Sequence, residues 1–146
     1  MHHHADQLKD IVQTAREGAS FYEAARDKAS KPQLREVFTR MAEAKHTLIT
    51  ELSAVLMAKG EALPEGGSTT VALRKVYADV RAMVSSNDDA IYVGELEEVE
   101  DRLVSEMKTA LIEATDPAMK TTLQHAMVSV SQCHNEMRDL KHSMAD

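Results

Sequence analysis

Apolar residues recur at intervals of three and four positions along most of the chain. This spacing places them on one face of an α-helix. Only five Gly and three Pro interrupt the pattern, and clusters of β-branched residues are few, so the sequence predicts an all-α protein. The predicted helices cover approximately residues 5–29, 32–59, 69–84, 88–114 and 117 to near the C-terminus.

Residues that favour turns set the predicted helix ends. Ser30 is the predicted N-cap of the second helix, with Pro32 in its first turn and Gln33 completing a capping box. Gly60 is predicted to end the same helix in the C-cap position. The other predicted N-caps are Ser68, Asn87 and Asp116.

These helices form two long hairpins, each turned by a short link that contains proline. The segment between the hairpins is predicted to hold the short helix over residues 69–84. Because a 16-residue helix spans about 24 Å, this connection can carry the chain along the length of a bundle. The fourth predicted helix then runs parallel to the second, which is the topology of a ferritin-like four-helix bundle. An irregular array of five helices is the alternative.

The length of 146 residues predicts a single domain, which we assign to residues 5–146. The histidines that follow Met1 are interpreted as the remnant of a purification tag, so residues 1–4 enter no site argument. No apolar run reaches the roughly 20 residues that a membrane span requires. We therefore expect a soluble, cytoplasmic protein without a membrane partner.

The net charge and the single cysteine narrow the possible functions. A formal charge of −7 without a basic stripe argues against a nucleic-acid partner. Cys133 cannot form an internal disulfide, and no neighbouring base or helix N-terminus is evident to lower its pKa. It is interpreted as a core thiol.

Glu43 and His46 have the spacing by which one helix can offer a carboxylate and an imidazole to a metal pair. Each residue advances about 100° around a helix, which allows the two side chains to be placed. Glu43 lies nearly opposite the apolar stripe of its helix, and His46 is also turned away from it. The motif is therefore predicted to face solvent. The stripe consists of Leu34, Phe38, Met41, Leu48, Leu52 and Val55.

Three ionisable residues interrupt the apolar stripes at similar predicted heights. They are Lys45 in the second helix, Glu100 in the fourth and His134 in the fifth. We predict that they form a buried polar layer that fixes which helices pair and at what offset. Because an ammonium repels a metal cation in a low-dielectric interior, no metal is favoured at this layer.

An iron site remains the alternative for this region. It would use Glu100 and His134, with Glu97 at the margin of the stripe and Glu51 as further ligands. Ser131 stands three residues before His134, where a second Glu-x-x-His motif would need its acid.

Several segments taken in order resemble an uncharacterised bacterial family of ferritin-like four-helix bundles. They are "FYEAA", "PQLREVF", "ELSAVLMAKG", a "P-x-x-GS" loop, "NDDAI", "ED" at Glu100–Asp101 and "CHNEMRDL". The resemblance extends from about residue 8 to the end of the chain. It implies a shape similar to rubrerythrin and ferritin, no intact di-metal site in many members, and no settled activity. It also implies a basic residue near Lys45, an acid at Glu100 and a histidine at His134.

We therefore expect a ferritin-like helical protein that is not an enzyme and needs no cofactor. It would act as a stress-associated or protein-interaction module, as a homo-oligomer or with a protein partner. A ferritin-like di-iron oxidoreductase or iron-binding protein is the alternative.

Overall fold

The computed structural model describes residues 2–62 and 89–144. These two stretches contain four α-helices and no strand, which confirms the predicted all-α class. The predicted helix over 69–84 and the predicted caps Ser68 and Asn87 lie outside the described residues. The helices are α1 (His2–Lys28), α2 (Pro32–Ala58), α3 (Asp89–Glu113) and α4 (Pro117–Met144).

The turn between α1 and α2 differs from the sequence prediction. Lys31, in an extended conformation, is the N-cap of α2, and no side chain caps this helix. The predicted cap Ser30 is used elsewhere, because its hydroxyl donates a 2.7 Å hydrogen bond to Asp89 Oδ2. Its backbone N–H donates to Asp89 Oδ1 at 3.1 Å, so this turn is joined to the first residue of α3.

The other described helix ends follow the predicted turn chemistry. Gly60 has a positive φ of 73°, and it donates its N–H to Met57 O while Glu61 N–H donates to Leu56 O. This pair of bonds is a Schellman motif, in which glycine avoids the steric cost of the left-handed conformation. At the start of α4, Asp116 Oδ1 accepts a 3.0 Å hydrogen bond from the Ala118 N–H, which confirms its predicted capping role.

Each helix packs against two others: α1 against α2 and α3, and α4 against α2 and α3. Side-chain pairs at the two ends give the directions. The Ser30–Asp89 and Gln7–Glu113 pairs make α1 antiparallel to α3. The Arg40–Glu136 and Lys59–Asp116 pairs make α2 antiparallel to α4. Since α1 and α2 form a hairpin, α2 and α3 run in the same direction.

The interior consists of two apolar clusters that occupy different lengths of the helices. One cluster holds the aromatic side chains, including Phe21, Phe38 and Tyr92. The other is built mainly from aliphatic residues such as Leu8, Leu52 and Leu103. The boundary between them falls at about residue 18 in α1, 45 in α2 and 100 in α3, and the buried Lys45 and Glu100 lie at this boundary.

Candidate functional site

A buried ion pair joins α2 to α3 at the middle of the structure. The ammonium Nζ of Lys45 lies 2.8 Å from Glu100 Oε2, and the two side chains are 1 % and 0 % exposed. Burying two charges costs several kcal/mol for each ion, and only a close partner offsets that cost. Sliding either helix by one turn would leave both charges without a partner, and a role of the pair in setting the offset of α2 relative to α3 stays a prediction.

Tyr22 of α1 is the third member of this buried group. Its hydroxyl donates a short hydrogen bond to Glu100 Oε2, the oxygen that also faces Lys45. Lys45 Nζ lies 5.6 Å from the centre of the Tyr22 ring, within the range of a cation–π contact. Burial, followed by the charge and hydrogen bond of Glu100, raises the pKa of Tyr22 well above its ordinary value. Tyr22 is therefore a donor to the carboxylate at neutral pH.

The two oxygens of Glu100 have unequal surroundings. Lys45 and Tyr22 both contact Oε2, whereas Oε1 is buried without a hydrogen-bond partner in the part of the chain that the structure describes. A buried polar atom without a partner costs about 1–3 kcal/mol. This cost reduces the net stability that the buried group contributes.

Gly18 of α1 makes room for this group. A Cβ at this position would lie 3.2 Å from Val99 Cγ1 and 3.9 Å from Lys45 Cγ. Because glycine lacks that atom, α1 approaches α3 closely, and the aliphatic part of Lys45 passes beside its backbone.

Cys133 is the neighbour of the buried group on α4. It is buried, as predicted for a core thiol. Burial raises the pKa of its thiol, and the nearby charge of Lys45 acts in the opposite direction. A thiol with a raised pKa is a poor nucleophile at neutral pH.

The side chains at this level do not suit a pair of metal ions. A ferritin-type site needs a carboxylate from each of its four helices and two histidines. Here α1 supplies Tyr22, α2 supplies Lys45, and α4 supplies Cys133, so only α3 supplies an acid. A cation at Glu100 would also face the Lys45 ammonium at short range, where like charges repel strongly.

His134 lies outside the buried group, in contrast to the predicted layer. Its Nε2 lies 3.2 Å from Asp101 Oδ1 and 3.9 Å from Glu97 Oε2, and its side chain is 20 % exposed. The reason is rotational. Cys133 faces the interior, so the next residue points about 100° away from it, towards the surface between α3 and α4.

A fourth residue completes this surface group, which we call the outer cluster: Glu97, Asp101, His134 and Lys141. Glu97 uses its two oxygens differently, because Oε1 accepts a 3.1 Å hydrogen bond from Lys141 Nζ while Oε2 faces His134. The hydrogen bond and charge of Glu97 raise the pKa of Lys141. One atom each from Glu97, Asp101 and His134 lie within 4.8 Å of one another, a grouping that could hold a metal ion.

The four residues of the alternative iron site do not come together. Glu100 is enclosed with Lys45, while Glu97 and His134 lie in the outer cluster. Glu51 lies elsewhere, where its Oε2 is 3.7 Å from the exposed ring of His125.

The Glu43-x-x-His46 motif faces solvent, as predicted from the rotation of α2. His46 Nε2 lies 3.9 Å from Glu23 Oε1, and both side chains are exposed.

Three members of these groups, Tyr22, Asp101 and Lys141, were not predicted from the sequence. Tyr22 was not considered as a polar residue, although a buried tyrosine hydroxyl needs a hydrogen-bond partner. Asp101 lies four residues after Glu97, a spacing that puts two side chains on one side of a helix. That spacing could have identified Asp101 once Glu97 was considered.

In residues 2–62 and 89–144, the fold and these two groups define an all-α arrangement of four long, packed helices with one ion pair buried between apolar clusters. Residues 3–113 match a family described as "Domain of unknown function (DUF2383)". The chain belongs to this family, and the match covers nearly all of α1 together with α2 and α3. No curated protein and no solved structure matches the chain.

Membership of a family of unknown function confirms part of the resemblance seen in the sequence. The relationship to ferritin and rubrerythrin stays a prediction. Within the described stretches, no helix is both long enough and apolar enough to cross a membrane.

Proposed function

We propose that this protein is a ferritin-like helical bundle that performs no di-iron chemistry. In this proposal it is a cytoplasmic interaction protein without enzymatic activity, which associates with itself or with a protein partner. A stress-associated role is implied by the resemblance of its sequence segments alone.

One observation carries the proposal: the Lys45 ammonium lies 2.8 Å from Glu100 Oε2, with both side chains almost completely buried. The site of a di-iron pair in a ferritin-like bundle lies in the same central region, between facing helices. An ion pair that already balances its own charge there leaves no net negative charge to attract a cation. Tyr22 occupies the same carboxylate oxygen and strengthens this argument.

The surface is then the part of the molecule that can act on other molecules. The chain has a formal charge of −7 without a basic stripe, which argues against a nucleic-acid contact. Exposed apolar side chains, including Ile112 and Val128, are available for contact with a protein.

Addition of Fe(II) without oxygen, followed by air, tests the absence of di-iron chemistry. We expect no saturable absorption band of an oxo-bridged iron pair. The protein used in this experiment should have His2, His3 and His4 replaced by alanine, because these histidines could bind iron themselves. A saturable band that His134→Ala abolishes and His125→Ala leaves intact would overturn the proposal.

Sedimentation velocity over a wide concentration range tests self-association. We expect the weight-average sedimentation coefficient to rise with concentration, and Ile112→Lys or Val128→Lys to reduce the rise. A monomer at every concentration, together with no protein partner captured from the source cell, would contradict an interaction role.

The iron-binding alternative has one observation in its favour. Glu97 and His134, two of its four predicted ligands, are adjacent in the outer cluster. The same iron experiment decides between the two functions, because a redox site would give the absorption band and an interaction protein would not.

A further inference from the structure

We propose that the outer cluster binds a single divalent metal ion of the zinc class, with His134 Nε2, Asp101 Oδ1 and Glu97 Oε2 as its ligands. This site lies on the surface between α3 and α4 and is separate from the buried ion pair. It does not depend on the proposed interaction role, since a single surface ion is compatible with either function.

The distances from His134 Nε2 to the two carboxylate oxygens suit one ion, and one atom from each of the three residues lies within 4.8 Å of the others. Zinc bonds of 2.0–2.2 Å in tetrahedral geometry place neighbouring ligand atoms about 3.3 Å apart. His134 Nε2 and Asp101 Oδ1 are 3.2 Å apart, which matches this separation without movement. His134 Nε2 and Glu97 Oε2 are 3.9 Å apart, so the Glu97 side chain needs to move by only about half an ångström.

The types of ligand indicate which metal would bind. One imidazole nitrogen and two carboxylate oxygens suit Zn²⁺ and similar transition-metal ions, whereas Ca²⁺ and Mg²⁺ favour sites made only of oxygen ligands. Three protein ligands leave a fourth position for water, and Asp101, 72 % exposed, lies where water can reach it. The site is therefore open rather than closed.

The surroundings of Glu97 support a role as a ligand. Its side chain is only 14 % exposed, and Lys141 binds Oε1, the oxygen that faces away from His134. This hydrogen bond keeps the carboxylate oriented, with Oε2 turned towards the proposed ion. Metal-binding carboxylates are commonly held by such an outer hydrogen bond.

The arrangement of charge also favours a cation at this place. Glu97 and Asp101 are like charges one helical turn apart, a spacing that destabilises an isolated helix. Lys141 Nζ lies 3.1 Å from Glu97 Oε1, whereas Asp101 Oδ1 lies 3.2 Å from His134 Nε2. A divalent ion between the two carboxylates would relieve their repulsion and join α3 to α4.

Titration with Co²⁺, followed by displacement with Zn²⁺, tests the site in the full-length chain with alanine at positions 2–4. We expect the absorption of a low-coordinate Co²⁺ complex to saturate at one ion per chain. His134→Ala and Asp101→Asn should each weaken binding at least about tenfold. Since Asp101 is mostly exposed, its substitution should leave the helical circular dichroism unchanged.

His125→Ala provides the matched control. His125 is also on α4 and faces one carboxylate, Glu51, at 3.7 Å, but it is 79 % exposed and lies outside the outer cluster. We expect this variant to bind Co²⁺ and Zn²⁺ as the parent does. Equal weakening by His125→Ala and His134→Ala, or no saturable binding of either ion, would overturn the proposal.

Thermal unfolding gives a second measurement of the same site. Because an ion that binds only the folded chain stabilises it by mass action, Zn²⁺ should raise the melting temperature of the parent. The rise should be clearly smaller in the folded Asp101→Asn variant at the same Zn²⁺ concentration. An equal rise in both proteins would place zinc at another position and contradict the assignment.

Discussion

Lys45 and Glu100 show how much the effect of one residue depends on its partner. In the interior, their attraction offsets a desolvation cost of similar size, so the intact pair contributes little net stability. Removal of one partner leaves the other charge buried and alone. Tyr22 shares this dependence, since its hydroxyl donates to the same carboxylate oxygen.

A double-mutant cycle tests this dependence. We expect Glu100→Leu, Glu100→Ala and Lys45→Met each to lower the free energy of unfolding by about 3–5 kcal/mol, because each leaves an uncompensated charge. The double variant Lys45→Met/Glu100→Leu should unfold within about 2 kcal/mol of the parent or be more stable. Urea denaturation followed by circular dichroism gives all these values.

The matched control is the Arg40–Glu136 pair, which joins α2 to α4 at 2.8 Å on the surface. Glu136→Ala should cost less than about 1 kcal/mol, because exposed ion pairs contribute little. A cost for Glu100→Ala as small as for Glu136→Ala would place Glu100 in solvent.

Glu106 makes stability depend on pH. Burial raises the pKa of this carboxyl above its ordinary value of 4.5, and a hydrogen bond with Thr14 opposes the shift. A raised folded pKa contributes stability that is complete below pH 4.5 and is lost as the pH rises through the folded pKa. The free energy of unfolding of the parent minus that of Glu106→Gln should therefore be smaller at pH 7 than at pH 4.

Urea denaturation of both proteins at the two pH values measures this difference. Glu98→Gln, which removes one exposed carboxyl from the same helix, controls for the change in net charge. If the same difference increases from pH 4 to pH 7, the pKa of Glu106 is lowered in the folded protein and the assigned direction is wrong.

The ends of the helices were predicted correctly where they depend on residues close together in the sequence. Gly60 and Asp116 marked the end of α2 and the start of α4 because their roles involve only nearby backbone groups. Ser30 was wrong as a cap because its hydroxyl bonds to Asp89, a residue distant in the sequence. No local pattern contains that information.

The rotation of each helix was predicted for α2 and α3 and partly missed for α4. Lys45 and Glu100 are buried as their positions on the apolar stripes indicated. On α4 the sequence placed His134 on the apolar stripe, whereas the structure buries Cys133, one position earlier. The sequence could not show this rotation, because it depends on how α4 packs against its neighbours.

A pair of glycines tests how closely α1 and α3 approach. Glycine in a helix costs roughly 0.5–1 kcal/mol relative to alanine, so Gly94→Ala, with nothing within 4 Å of its Cβ, should stabilise by about that amount. Gly18→Ala should stabilise less, or destabilise, because its Cβ would lie 3.2 Å from Val99 Cγ1.

Thermal or urea unfolding of the two variants measures the difference. Adding Val99→Ala to both should bring their effects closer together, because it removes the atom that Gly18→Ala would meet. Equal gains from both glycine substitutions in the parent would mean that α1 and α3 are further apart than described.

For the whole molecule, ion pairs at the surface join residues at the ends of different helices and so indicate how the helices are arranged. Lys9 lies 3.0 Å from Glu61 across α1 and the end of α2, and Lys59 pairs with Asp116 at the start of α4. The shared direction of α2 and α3 had been predicted from the length of the segment between them. The sequence did not predict which side chains meet across the helices, because these contacts depend on the rotation of both partners.

A carbodiimide, which joins a lysine amine directly to a neighbouring carboxylate, tests this arrangement. We expect mass spectrometry of the digested protein to find links between Lys59 and Asp116 and between Lys9 and Glu61. The Lys45–Glu100 pair is equally close but buried, so it should remain unlinked until the protein is unfolded. A link from Lys59 to Asp89 would instead place α3 in the opposite direction.

The dependence of Lys45 on Glu100 also has a consequence for the evolution of related chains. A mutation at either position alone would destabilise the protein and would be selected against. The two positions should therefore change together. Homologues should carry the acid and the base as a unit or replace both by apolar residues. Such covariation would record, across many genomes, a contact that is seen here in one molecule.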